Sequence, residues 1–343
     1  MKLRVLILTI TAAFILAGCA GNSRSISVFN WGDFIDMDVI AMFEEEYGIR
    51  VIYDTYASNE AMYTRLSAGG AAYDIAFPSD YMIERMINED MLEKLDFDNI
   101  PNARYIHPRF LGLPHDPADE YSVPYKWGTL GILYNTEMVP DPGDSWAILW
   151  NEAFANRIFM YNSQRDSFAV ALKKLGYSLN TTNIDELNAA TEALIRQKPL
   201  VRAYGGDNIR DSMIGNEGAL AVVYAGDAMW SISENPTLNY FVPIEGSNVF
   251  FDSVVIPKGA RNKADAEKFI NFLNRPDIAA MNTNFTGYST TNMAAPELID
   301  PAMAADPIYW PDDETYRRLE AFRDLGEFIR EYDRAWTEVL AAR

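Results

Sequence analysis

ISVFNWGDFIDMDVIAMFEEEYGIRVIYDTY, residues 26–56, sets two β-rich runs around one helical run. Residues 26–31 (ISVFNW) and 49–56 (IRVIYDTY) are rich in β-branched and aromatic residues, so each reads as a strand. Between them Ile40, Phe43 and Tyr47 recur at helical spacing, and Val39 to Tyr47 reads as a helix with one apolar stripe. The rhythm continues. Ser58 is placed to cap a helix through Leu66. YDIAFP (73–78) is a further strand and YMIERMINEDML (81–92) a further helix. A β-α-β-α series predicts a mostly parallel sheet with helices over both faces, hence an α/β class.

A second series follows YKWGTLGILYN (125–135). RIFMYN (157–162), ALAVVYAG (219–226), NYFVP (239–243) and FFDSVVIP (250–257) read as strands. Ser167–Leu175, Ile184–Ile195 and Ala264–Leu273 read as helices, and one long amphipathic helix is expected near Thr315–Leu340. Two lobes fit 343 residues and two series better than a single sheet does. Ligands of such sheets bind beyond the carboxyl ends of strands, where Trp31, Ser79, Tyr224 and Asp252 fall.

Composition narrows the chemistry. Asp and Glu total 49 against 29 Lys and Arg, a net charge of −20. So acidic a chain repels phosphate backbones, which excludes nucleic acid as a partner and favours small cations. At the N-terminus Lys2 and Arg4 precede an apolar run from Val5 to Leu16 that is too short to span a bilayer. It reads as the core of a secretory signal over residues 1–18. Leu16-Ala17-Gly18-Cys19 then resembles a bacterial lipobox, with Cys19, the only cysteine, as the lipid attachment point and residues 19–25 as a tether. The expected location is the cell envelope, anchored in a membrane and facing the periplasm or exterior. The thiol of Cys19 would be consumed by the lipid, leaving no disulfide.

Catalytic signatures are missing. There is no GxSxG, no glycine-rich phosphate loop and no HExxH. The two histidines, His107 and His115, lie eight residues apart in a proline-rich stretch and read as surface-loop residues rather than metal ligands. Asp207 and Asp211 stand four apart and read as a solvated helix face. The expectation is a binding protein, not an enzyme, with neither metal nor cofactor.

Several stretches in order carry a resemblance: VFNWGDFI (28–35), GIRVIYDTYASNEAMYTRL (48–66), YDIAFPSDY (73–81), YSVPYKWGT (121–129), FFDSVVIPKGARNKADAEKFINFLNRPDIA (250–279) and GYSTTNMAA (287–295). Together they resemble the polyamine-binding proteins of bacterial ABC importers over nearly all of residues 26–343. The resemblance implies a two-lobed periplasmic-binding-protein fold of the type II kind, with the ligand in the cleft between lobes. It implies lobes of residues 26–130 with 253–297 and of residues 131–252 with 298–343. It implies putrescine or spermidine as ligand, a permease with a cytoplasmic ATPase as partner, and a monomer. The family's ligand positions fall on Trp31, Asp33, Ser79, Tyr81, Asp166, Tyr224, Asp227, Phe250, Asp252 and Tyr288. The spermidine-preferring branch has an acid where Ser163 stands, Trp at Phe250, Ser at Asp227, and a Gln with no clear match near Phe322, so putrescine is favoured. Another small cation, an amino acid, or a sensor or adhesin retaining the fold is the alternative.

These residue types suit a diamine. Each ammonium offers three donors and no acceptor, so burying it demands carboxylates and hydroxyls. Asp33, Asp166, Asp227 and Asp252 supply charge, with Ser79 and Tyr81 as further acceptors. Aromatic faces of Trp31, Tyr224, Phe250 and Tyr288 would cover the alkyl stem and attract its charges, by about 0.5–2 kcal/mol per ring. Two readings stay open locally. Asp227 is also well placed to cap a helix over residues 228–234, and Tyr81 could pack on its neighbouring helix. Phe250 and Phe251 alternate in a strand, so one of them faces the site. Ordinary acid and amine ionisation bounds binding between about pH 4 and pH 10–11.

Overall fold

The computed structural model describes residues 24–69, 73–206 and 208–342. The signal segment 1–18, Cys19, most of the tether and Asp207 lie outside the described residues. The first lobe opens with β1 (Ser25–Trp31), α1 (Met37–Tyr47), β2 (Arg50–Tyr56), α2 (Asn59–Ser67), β3 (Ile75–Ala76) and α3 (Asp80–Asn88). Local chemistry sets these boundaries. Asp36 caps α1 by accepting from the Asp38 N–H, and Gly48 ends it at φ 62°. Ser58 caps α2 through the Ala61 N–H, as expected.

The long strand β4 (Ser122–Asn135) leads into the second lobe: β5 (Ile158–Tyr161), α4 (Gln164–Lys174), α5 (Ile184–Gln197), β6 (Val201–Gly205), α6 (Asn208–Ile214), β7 (Leu220–Tyr224), α7 (Ala225–Glu234) and β8 (Leu238–Phe241). Strand β9 (Val249–Val255) returns to the first lobe, followed by α8 (Lys263–Leu273), α9 (Pro276–Thr286), β10 (Ser289–Thr290) and α10 (Pro301–Ala304). Short α11 (Asp313–Arg317) and terminal α12 (Ile329–Ala341) close the chain. No described helix is long and apolar enough to cross a membrane.

The sheet order is β2-β1-β3-β9-β4-β7-β5-β6. Strands β1–β3 pair in parallel, as do β5–β7. Between these sets β4 and β9 run antiparallel to each other and to β3 and β7. The sheet is therefore mixed, which corrects the mostly parallel expectation. The reason is connectivity: the chain crosses between lobes out along β4 and back along β9, so these two strands must run opposite ways.

Strand β4 serves two cores. Trp127 is packed with Val28, Phe43, Phe77, Phe251 and Phe269, whereas Leu130 and Ile132 pack with Phe159, Val222 and Tyr240. Each such side chain contributes about 2 kcal/mol on burial. At the crossover Gly128 leaves room for Phe250, whose ring would lie 2.8 Å from any Cβ added there.

The expected single helix near Thr315–Leu340 is broken between α11 and α12. Glu320 instead pairs its backbone with Ser247 and Val249, and Gly326 adopts φ 52°. Tertiary pairing thus overrides a helical pattern. Packing also divides this segment: Ile299, Tyr309, Trp310 and Tyr316 join first-lobe cores, while Phe328, Tyr332 and Val339 pack on α4 and α5. The expectation from sequence puts all of residues 298–343 with the second lobe.

Candidate functional site between the lobes

Three parallel strands deliver one wall. Trp31 ends β1 and Tyr56 ends β2. The Trp31 Nε1–H donates to the Phe77 carbonyl at 2.8 Å, and the Tyr56 hydroxyl donates to the same oxygen at 2.6 Å. Their rings lie 4.7 Å apart. Two residues beyond Phe77, Ser79 occupies the position before α3 without capping it. Its hydroxyl donates instead to Asp252 Oδ1 at 2.6 Å and accepts from Asn59 Nδ2 at 3.0 Å.

Asp252 sits on β9 with 5% of its surface exposed. Burial raises its pKa to about 7, against the opposing pull of the Ser79 hydroxyl and of Lys126. Lys126 is its strand partner on β4. The buried ammonium donates to the Asn282 carbonyl at 3.1 Å and to the Thr286 hydroxyl. Burial holds its pKa well below the usual lysine range. Asp80, also buried, accepts from the Tyr81 and Phe251 N–H groups at 2.7 and 3.3 Å, and burial pushes its pKa well up.

The second lobe supplies the facing wall in the same way. Tyr161 ends β5 and Tyr224 ends β7. Asp166 lies in the first turn of α4, whose N-terminus Ser163 caps. The Tyr224 hydroxyl donates to Asp166 Oδ1 at 2.6 Å. Burial raises the Asp166 pKa, opposed by Ser163, Tyr224 and Arg165. Asp227 accepts from the Tyr161 hydroxyl at 3.0 Å. Asp166 and Asp227 are 7% and 8% exposed.

The walls touch. Phe250 meets Tyr224 and Tyr288 edge to face, at 5.1 and 5.9 Å. Tyr288 follows α9 and the left-handed Gly287, and its hydroxyl donates across the cleft to Asp227 Oδ2 at 3.2 Å. Gly226 permits this approach, since a Cβ there would stand 2.5 Å from the Tyr288 ring. Away from the cleft floor, Arg323 grips Glu84 of α3 with two hydrogen bonds, of 2.9 and 2.5 Å. The two lobes are closed upon each other.

Of the ten ligand positions named from the sequence, Asp166, Tyr224, Phe250, Tyr288 and Asp227 form one chain of contacts across the cleft, Ser79 pairs with Asp252, and Trp31 is held on the carbonyl of Phe77, two residues before Ser79. Phe250 and Asp252, two apart on β9, share its cleft face, and Phe251 points to Phe110 and His115 in the first core. Tyr81 stands at the rim, half-buried, its hydroxyl on Glu60 at 2.9 Å and its ring 6.1 Å from Phe322. Asp33 is exposed in the turn after β1, at φ 46°.

Two readings are corrected. Helix α7 starts at Ala225, three residues before the start that would make Asp227 its cap, so Asp227 lies inside the first turn. There the helix dipole still favours its charge. His115 is buried rather than on a surface loop, and burial lowers its pKa to about 4. His107 accepts from the Arg109 N–H at a 3-10 turn.

Sequence reasoning missed Tyr161, although the end-of-strand rule that found Tyr224 applies equally to it. It missed the basic residues too. Arg210 brings Nη1 within 3.9 Å of Asp227 Oδ1. Arg165 lies beside Asp166, its guanidinium over Phe322 at 4.3 Å. Lys126 backs Asp252. No sequence signal connects these to the acids, because each pair joins different segments or depends on side-chain direction.

Residues 38–310 match the family model described as bacterial extracellular solute-binding protein. The chain is 36% identical over 329 residues to the spermidine/putrescine-binding periplasmic protein of Salmonella typhimurium, covering 95% of this chain and 94% of that one. The spermidine/putrescine ABC transporter substrate-binding protein of Streptococcus pneumoniae superposes with a TM-score of 0.83 at 38% identity, covering 93% and 99% of the two chains. A lipoprotein of Treponema pallidum superposes with a TM-score of 0.84 at 31% identity, covering 92% and 99%. Extended over most of its length by sequence and over both lobes by structure, this likeness establishes that the chain belongs to the bacterial extracellular solute-binding proteins.

Proposed function

We propose that the protein is the lipid-anchored binding component of a polyamine ABC importer, capturing putrescine in preference to spermidine and delivering it to a permease. One observation carries the ligand class: Asp166 and Asp227 of the second lobe meet Tyr224 and Tyr288, whose rings pack on Phe250, and Asp252 lies on the same face of β9 as Phe250. A slender dication needs carboxylates at its ends and apolar walls along its stem. The relatives from Salmonella and Streptococcus are named for spermidine and putrescine. Both lobes touch one site, so a ligand contacting both favours the closed form by its differential affinity for it. No step of bond-making is required of these acids, and their role is to hold charge.

The lipid anchor at Cys19 rests on the lipobox-like Leu16–Cys19 and is in keeping with the lipoprotein relative. The envelope location, the monomeric state and the permease with its ATPase follow from the same reading. Competitive calorimetry with putrescine, spermidine, cadaverine and an amino acid tests it. Micromolar binding of the amines, about −8 kcal/mol, is expected. Binding of the amino acid alone would refute the polyamine reading.

A further inference from the structure

The three buried acids of the cleft are not equivalent. Among the described residues Asp227 has a cation within 4 Å, the guanidinium of Arg210, whereas neither Asp166 nor Asp252 forms an ion pair at that distance. Arg210 lies on α6, held between Asp227 and Asp211, each 3.9 Å from one of its nitrogens. These separations are too long for hydrogen bonds. Its Nε–H is buried with no hydrogen-bond partner. The indole of Trp230 on α7 packs against the guanidinium at 5.4 Å and holds it beside the cleft. Arg210 thus supplies charge to Asp227 without spending its hydrogen bonds there. Asp227 accepts from the hydroxyls of Tyr161 and Tyr288.

We infer that Arg210 is a specificity-determining residue, a resident cation that devalues Asp227 as a seat for a further ammonium and so selects diamines over triamines. The inference rests on the polyamine reading and deepens it. Each ammonium entering the cleft needs a carboxylate. A diamine has Asp166 and Asp252 to use. The acid left for the third charge of a triamine is Asp227, where Arg210, 3.9 Å away, repels it at close range. Asp227 then serves a second purpose. With its charge balanced from behind, it is the acceptor through which Tyr288 latches the lobes.

The test is calorimetry with putrescine and spermidine on the wild type, R210Q and R210K. R210Q removes the charge and keeps a polar side chain of similar reach; R210K keeps the charge. Spermidine affinity should rise about tenfold relative to putrescine in R210Q, and the ratio should stay at its wild-type value in R210K. An unmoved ratio in R210Q, or a rise equal for both amines, would overturn the inference, as would the same shift in R210K. A wild-type protein that binds neither amine would remove the polyamine reading itself. Wild-type binding with an unmoved ratio would remove only the role of Arg210.

Discussion

Asp252 combines burial, a hydroxyl donor and a pKa near neutrality, and replacing it by Asn isolates the charge. The substitution is nearly isosteric, and the amide oxygen still accepts from Ser79, so the loop before α3 stays in place. What disappears is a carboxylate facing the cleft. A buried charge-assisted contact of this kind contributes roughly 1.5–3 kcal/mol, so putrescine should bind D252N about ten- to a hundredfold more weakly at pH 8. The pH profile is the sharper measurement. With a pKa of about 7 in the ligand-free protein, Asp252 must ionise to receive an ammonium. At pH 5.5 this costs 1.5 pH units, about 2 kcal/mol, and binding should weaken about thirtyfold relative to pH 8. The lower limb of the profile therefore sits near neutrality, not near the pH 4 of an ordinary aspartate, because burial moves the titration. Calorimetry in buffers of differing ionisation enthalpy should show about one proton released per ligand bound near pH 6, and none in D252N. A wild-type affinity flat between pH 5.5 and 8, or a D252N profile as steep as the wild type, would refute the reasoning. The sign extends to stability. A carboxyl whose folded pKa lies above its unfolded value disfavours the folded state as pH rises from about 4 to 7. Unliganded D252N should gain on the wild type in thermal stability across that window and hold the gain above it.

Three further outcomes are expected. Tyr288→Phe removes the hydroxyl that reaches Asp227 across the cleft, a loss of about 1 kcal/mol; ligand should dissociate about fivefold faster in stopped-flow, and an unchanged rate would exclude the latch. Lys126→Met removes the ammonium that donates to the Thr286 hydroxyl and to the Asn282 carbonyl, the latter keeping only its bond from the Thr286 hydroxyl, and removes the charge that lowers the Asp252 pKa; stability should fall by about 1–3 kcal/mol, and the pH limb of putrescine binding should move upward, a shift that packing loss alone would not produce. Cys19→Ala should release the protein from membranes on fractionation of the expressing cells; retention in the membrane pellet would exclude the lipid anchor.

Strand ends were legible because parallel strands alternating with helices place functional side chains at predictable points. Trp31, Ser79 and Tyr224 sit at or just beyond strand ends, where that rule puts them, whereas Asp252 lies in the middle of the antiparallel β9. The direction of β4 and β9 was not legible, since antiparallel and parallel strands share the same residue preferences. The break between α11 and α12 was hidden by a helical pattern that backbone pairing of Glu320 overrides. Asp33 shows the same gap at the site: it matches by position yet stands exposed, because a left-handed turn residue points where the turn aims it.

Composition and hydrophobic rhythm by themselves determined the α/β class and the two series of elements, because these depend on local periodicity and residue chemistry; the candidate acids and rings of the cleft came from the resemblance of motifs, in order, to the polyamine-binding family. Tertiary structure alone decided which acids carry a neighbouring cation, how far burial shifts Asp252, and that Tyr288 reaches Asp227. Those properties depend on through-space distance and solvent exclusion between segments 61 to 126 residues apart, for Tyr288 with Asp227 and for Lys126 with Asp252, and linear order carries no record of either.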